Sequence, residues 1–340
     1  MTKELSKYLR GVKKINLKKL EKNITAKVKD PSKKTRTYRI QIRENPAFLS
    51  KSRINLKREL RPVEIKHIKR VPKNKCIFCN PKEFAGFHPQ NKLEHLYHLN
   101  DSMVFSNLFP TGKIHGIILH TRKHITDSRK LKVRHWIDSI KLVQKVGNLS
   151  GKKYISYHVN HGAKAAASIS HFHGQFHCED EPISKTLLSM KYSKKYSGKS
   201  KKFWKSWVKT MLSEKLVLDF DPISKVVMFV EWSPIFGKTE IVVMTMETSS
   251  FQEMSQGEVE TVARYLKKAT EITTEKISEQ YNIVNLSAAS NDDYCNHFRI
   301  FSRSPSSQGI KSWEGYLEFM GETIPHIDPK KFAVIAKKIK

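Results

Sequence analysis

Residues 103–127, MVFSNLFPTGKIHGIILHTRKHITD, are echoed at residues 226–250 by VVMFVEWSPIFGKTEIVVMTMETSS. In each stretch two apolar, β-branched runs flank a turn, Pro110-Thr-Gly112 in the first and Ser233-Pro-Ile-Phe-Gly237 in the second, the pattern of a strand–turn–strand unit. A helical pattern follows each: Leu131, Trp136, Ile137, Ile140, Leu142 and Val143 between Asp127 and Gly147, and an amphipathic stretch from Glu253 to Tyr281. Then come a strand (154–160 and 282–287), small residues, and a short strand with His (171–177 and 297–302). One unit of strand–turn–strand–helix–strand–strand written twice predicts an α+β protein. It would have two half-domains from an internal duplication, with antiparallel sheets flanked by helices.

Outward from this pattern, the chain divides into a basic N-terminal arm (1–60), a first half-domain (61–190), a Lys-rich helical connector with Trp204 and Trp207 (191–215), and a degenerate second half-domain (216–340). Of the 340 residues 39% are hydrophobic, which excludes a chain disordered throughout. Lys and Arg number 63 against 32 Asp and Glu, a net charge of +31 that favours anionic partners such as nucleotides and sugar phosphates. The arm and the connector would carry any contact with nucleic acid, but no base-reading module is present, so nucleic acid is not expected as the main partner. The four cysteines, at 76, 79, 178 and 295, are too sparse for a disulfide scaffold and fit a reducing compartment. There is no secretory h-region at the N-terminus and no apolar run of membrane-spanning length, so a cytoplasmic protein without a membrane partner is expected.

The chemistry concentrates in His171-Phe-His-Gly-Gln-Phe-His177 of the first half. If extended, His171, His173, Gln175 and His177 share one face, with Phe172, Gly174 and Phe176 on the other. Same-face neighbours stand about 6.5–7 Å apart, which suits two adjacent sites better than one metal bound by all three histidines. His171 would then serve a metal while His173 faces substrate as a nitrogen nucleophile, its other ring nitrogen fixed by a backbone carbonyl. Gln175 would donate its amide to a phosphate oxygen, and Gly174 would make room for that phosphate. The run His161-Gly-Ala-Lys-Ala-Ala-Ala-Ser168 also leaves room beside the backbone, with Asn160, Lys164 and Ser168 as candidate phosphate contacts. Cys76-x-x-Cys79 fits two thiolates on one tetrahedral zinc, or on iron. With no second Cys-x-x-Cys, histidines would complete the set: His124 and His171, with His120, His115 and His98 as rivals.

Taken together, His171-x-His173-x-Gln175 and Cys76-x-x-Cys79 resemble the galactose-1-phosphate uridylyltransferase family, the transferase branch of the histidine-triad superfamily. The resemblance implies Cys76, Cys79, His124 and His171 as zinc ligands and His173 as the residue that takes the uridylyl group. It also implies phosphate contacts from Asn160, Gly162 and Ser168, and a nucleoside contact from Asn107 in Val104-Phe-Ser-Asn107. Lys311, Tyr316 and Glu318, in Lys311-Ser-Trp-Glu-Gly-Tyr316-Leu-Glu318, resemble a hexose-holding stretch that in the family reaches a neighbouring subunit, which implies a homodimer. The chain departs from the family at Phe172 (for Pro), Leu108 (for Asp) and Leu317 (for Glu). It also has Cys295 and Asn296 where a second metal site would have His. The implied reaction, a step of galactose metabolism, moves UMP between a nucleotide sugar and a hexose 1-phosphate. Relatives with the same signature use adenylyl groups, as in phosphorolysis of ADP-glucose or dinucleoside polyphosphates.

Overall fold

The computed structural model describes residues 2–29, 35–55, 73, 76–79, 96–107, 112, 114–237, 239–303, 322–323 and 327–339. Four strands, β1 (Glu21–Lys29), β2 (Thr35–Asn45), β3 (Ser50–Asn55) and β14 (Glu322–Thr323), form a small sheet in that order. The other ten form one sheet. In the first half these are β4 (Leu96–Leu99), β5 (Ser102–Ser106), β6 (Ile114–Leu119), β7 (Tyr154–His161) and β8 (His173–Glu179). In the second they are β9 (Val217–Asp221), β10 (Val226–Val230), β11 (Glu240–Thr245), β12 (Tyr281–Leu286) and β13 (His297–Ser302). The order is β4-β5-β6-β8-β7-β12-β13-β11-β10-β9. Read inward from either edge it is the same, each first-half strand matched by the one five numbers later, so the duplication seen in the sequence is a duplication of topology. The halves share a single sheet, because β7 and β12 pair antiparallel from His158↔Val284 to His161↔Tyr281.

Two long helices, α2 (Val133–Ser150) and α5 (Gln256–Lys276), occupy equivalent places in the two halves. Trp136, Ile140 and Val143 of α2 and Val262 and Leu266 of α5 join Tyr157, Phe172, Phe176, Phe251 and Phe298 in the main core. Buried on both faces, β5, β6, β10 and β11 read as the mostly apolar runs seen in the sequence, while β13 is equally buried but carries His297 and Arg299. Helix α5 starts in a capping box, with Ser255 accepting from the Glu258 N–H and Glu258 accepting from the Ser255 N–H. Helix α2 stops at Gly151, which takes the left-handed φ of 65°.

The expected connector is a packed helical pair, α3 (Ser184–Ser197) and α4 (Ser200–Ser213), broken at Gly198. Phe203, Trp204, Trp207, Val208 and Met211 of α4 are fully buried, so the lysines between them ride on a core element. Within the segment expected as a basic arm, several described residues are packed. Its first helix, α1 (Thr2–Tyr8), buries Leu5, and the chain beyond it buries Leu9 and Ile15. The Ile15 N–H donates to Thr210 Oγ1 at 2.9 Å. The last helix, α6 (Pro329–Ala336), buries Phe332 and Ala333 in the same core. Among the described residues no helix is long and apolar enough to cross a membrane.

Candidate active site

Cys76, Cys79, His124 and His171 each bring a donor atom into a group no wider than 4.8 Å. A single 3-10 turn (Ile77–Cys79) curls the Cys-x-x-Cys, with the Cys79 N–H donating to the Cys76 carbonyl at 3.1 Å. Cys79 Sγ lies 3.4 Å from His124 Nδ1 and 3.8 Å from His171 Nδ1, and Cys76 Sγ lies 3.6 Å from His171 Nδ1. Tetrahedral zinc, with Zn–S near 2.3 Å and Zn–N near 2.0 Å, sets neighbouring S and N donors about 3.5 Å apart. The donor set therefore fits that ion in size as well as in chemistry. On the far side of its ring, His171 Nε2 is 3.3 Å from the Thr121 carbonyl, which turns the Nδ1 lone pair toward the cysteines. The rival histidines lie elsewhere: His120 Nε2 is 2.5 Å from the Tyr157 hydroxyl, His98 is exposed on β4, and His115 contacts Gln175.

Strand β8 begins at His173, two residues later than the alternation predicts. The Phe172 N–H donates to the Ile125 carbonyl at 2.6 Å, so this part of the chain is tied to the loop carrying His124 before the ladder begins. His171 thus turns toward the cysteines, while His173, Gln175 and His177 keep to one face of the strand. His173 Nδ1 is 2.8 Å from the His171 carbonyl oxygen. A carbonyl only accepts, so Nδ1 carries the proton and Nε2 the lone pair. The ring is buried against the edge of Phe78, with centroids 4.8 Å apart. Burial pushes its pKa below the usual imidazole range, the His171 carbonyl acting the other way. Gly174 faces the core side, as the alternation places it, and its lack of a side chain serves close packing there. A Cβ there would sit 2.9 Å from the His158 carbonyl oxygen and 3.2 Å from Ile118 Cδ1, so the glycine lets β8 close on its neighbours.

Three histidines gather around Gln175: His177, expected on the same face, His115, expected only as a rival metal ligand, and His158, which the sequence alone did not single out. Its Oε1 lies 2.7 Å from His115 Nε2, and the His115 ring stacks on His177 at 4.1 Å. His158 approaches His177 at 5.9 Å and Ser156 Oγ at 2.8 Å. Burial, then the neighbouring imidazoles, pushes His158 down to about 3 and His177 down to about 4, so both are neutral near pH 7. Register explains the cluster: His115 of β6 and Ser156 of β7 both pair with His177, and His158 pairs with Gln175. The signal was weak in sequence because it lies in pairings between distant strands.

Among the other predicted residues, Asn107 is at the far end of this chain. Its N–H donates to the His115 carbonyl at 2.9 Å and its side-chain amide lies 3.3 Å from His115 Nε2. Asn160 Oδ1 accepts from Asn282 at 2.7 Å, one residue beyond the β7–β8 pair Val159↔Gly174. Gly162 takes a φ of 88°, and the Lys164 N–H donates to Gln280 Oε1 at 2.7 Å, which anchors the small-residue loop to the second half. Burial lowers the Lys164 pKa. Ser168 is exposed in that loop. Lys311, Tyr316 and Glu318, and the departures at Leu108 and Leu317, lie outside the described residues.

The second half repeats the geometry without the setting. Leu119↔His173 on β6 and β8 corresponds to Met244↔His297 on β11 and β13, and His297 Nδ1 lies 2.8 Å from the carbonyl two residues back, that of Cys295. His297 is fully buried under Trp204 at 4.8 Å. Arg299, in the place of Gln175, is buried between Glu240 and Glu231, the latter at 3.1 Å.

A family model for the HIT domain, the histidine-triad fold, matches residues 88–177. An uncharacterized protein of Archaeoglobus fulgidus is 27% identical over 143 residues, 40% of this chain and 43% of that relative, so the match spans less than half of the relative's length. The fold is that of an ADP-glucose phosphorylase from Arabidopsis thaliana solved with bound ADP-glucose, at 16% identity and a TM-score of 0.67 over 88% of this chain and 99% of that one. It is also that of a uridylyltransferase, at 14% identity and a TM-score of 0.59 over 87% and 97%. The HIT-domain match lies in the first half, and the α+β fold of the whole described chain is the one these two solved structures share.

Proposed function

We propose that the chain transfers a nucleotidyl group between a nucleotide sugar and a sugar 1-phosphate through a covalent intermediate on His173. The observation that carries the reading is the 2.8 Å link from His173 Nδ1 to the His171 carbonyl, which leaves Nε2 as the nucleophile. The Nε2 lone pair attacks the α-phosphorus. The bond from that phosphorus to its bridging oxygen breaks, and the sugar 1-phosphate departs with the electron pair. An oxygen of a second sugar 1-phosphate then attacks the same phosphorus and displaces His173. The leaving phosphate needs no proton, so an amide at Gln175 suffices where a hydrolase would use an acid. Gln175, Lys164 and Ser168 are assigned to the charge on the phosphoryl oxygens, Asn160 and Gly162 to the phosphates, and Asn107 to the nucleoside. Lys311, Tyr316 and Glu318 are assigned to the hexose, across a homodimer.

Cys76, Cys79, His124 and His171 would hold zinc or iron, which supplies a structural tether beside the nucleophile. The first reading takes UMP as the transferred group, with galactose 1-phosphate as acceptor. A second, adenylyl transfer from ADP-glucose to inorganic phosphate, is favoured by the fold shared with the phosphorylase. The test is incubation with UDP-glucose or ADP-glucose labelled in the α-phosphate. Acid-labile label on His173 in wild type and none in His173→Ala is expected. A folded wild type that takes no label from either donor overturns the reading, and the donor that labels decides the base.

A further inference from the structure

We propose that His115 is a positioning residue that fixes the amide of Gln175 so that its NH2, not its carbonyl, faces the phosphoryl oxygens. This rests on the transferase reading of His173. A glutamine amide is nearly symmetric in shape, and a half-turn of its terminal torsion would present a carbonyl oxygen to an anionic centre. That face repels where the other donates. Something must therefore break the symmetry, and Gln175 Oε1 has one such group 2.7 Å away, His115 Nε2. An N–H at that nitrogen is donated to Oε1 and leaves both amide protons of Gln175 on the opposite side.

His115 is itself held. Its ring stacks on His177 with planes 19° apart, and its carbonyl accepts the Asn107 N–H at 2.9 Å. The β6–β8 register sets it opposite His177 and one step along the sheet face from Gln175. The Asn107 side-chain nitrogen lies 3.3 Å from the same ring nitrogen, the longer of the two contacts. The stacked ring, the anchored backbone and the short Oε1 contact converge on one group, and they leave His115 with a defined role in a site where it holds no metal.

The role is tested by a double-mutant cycle on the full chain: His115→Phe, His115→Gln, Gln175→Ala and His115→Phe/Gln175→Ala. It is read on the single-turnover rate of nucleotidyl-His173 formation and, in parallel, on calorimetric affinity for UMP and AMP. His115→Phe keeps a ring to stack on His177 but has no N–H. It is expected to slow transfer about 10- to 100-fold, the scale of a mispositioned group, and to weaken nucleotide binding by about 2- to 10-fold. In the Gln175→Ala background the same change should be silent, and His115→Gln, which restores an N–H donor, should recover most of the rate. Equal losses in both backgrounds, or no loss at all, overturn the proposal, provided thermal melts show each variant folded. If wild type takes no label the transferase reading fails by itself, and coupling of the two residues in nucleotide affinity still decides the role of His115.

Discussion

At His173 a backbone carbonyl does the orienting that a carboxylate side chain does in many nucleophilic sites. The carbonyl belongs to His171, whose side chain lies in the Cys2His2 cluster, so the same short run of chain carries a member of that cluster and the group that sets the His173 tautomer. Gly174, between His173 and Gln175, has no space for even a methyl group: its nearest obstacle is backbone, the His158 carbonyl, which cannot swing aside. Gly174→Ala should cost about 1–3 kcal/mol, the scale of a forced strand shift, and lower activity along with it because the shift carries His173. Urea midpoints measure the first; a midpoint equal to wild type would show that the strands can part. At this scale the sequence was legible where chemistry is written in spacing. Cys76-x-x-Cys79 and His171-x-His173-x-Gln175 are short-range patterns, and the four residues named as ligands do converge. The contact of His115 with Gln175 was not legible, because the two are 60 residues apart and only the register joins them.

Between residues and the whole chain, β6, β7 and β8 decide which side chains meet. Period-two alternation was right for 173–177. It was off by one step at 171, because the loop bearing His124 captures Phe172 through the Ile125 carbonyl, and no local pattern announces that capture. The same three strands gather His158 and His177 beside His115, and the depressed pKa values of the first two give the fold an acid limit. In the unfolded chain histidine titrates near its usual 6.5; in the fold His158 and His177 are depressed to about 3 and about 4. Below pH 6.5 the unfolded state therefore binds protons that the native state refuses, and stability falls as pH drops toward 4. Urea midpoints at pH 7.5 and pH 5 should show the loss, and His158→Gln should make it smaller. An unchanged difference between the two midpoints would mean that these rings are not what titrates.

Over the whole molecule, the duplicated order of strands was readable from the echo between 103–127 and 226–250, since hydrophobic period survives where side-chain identity does not. At the N-terminus the spacing of Leu5, Leu9 and Ile15 was readable but the surface that buries them was not, because it is built by residues far along the chain such as Thr210. Nor could composition show that the second half would fill its equivalent site. There Arg299 replaces the amide and is fully buried with Glu231 and Glu240, while burial raises Glu231 to about 7. Arg299→Leu strands two carboxylates in the interior and should cost about 3–5 kcal/mol in unfolding experiments. A loss below about 1 kcal/mol would mean that water reaches them.

The ladder between β7 and β12 ties the halves edge to edge by four residue pairs across the midline. A plate stitched in this way cannot shut like a book upon a nucleotide. A hinge between the halves would first have to break those four pairs.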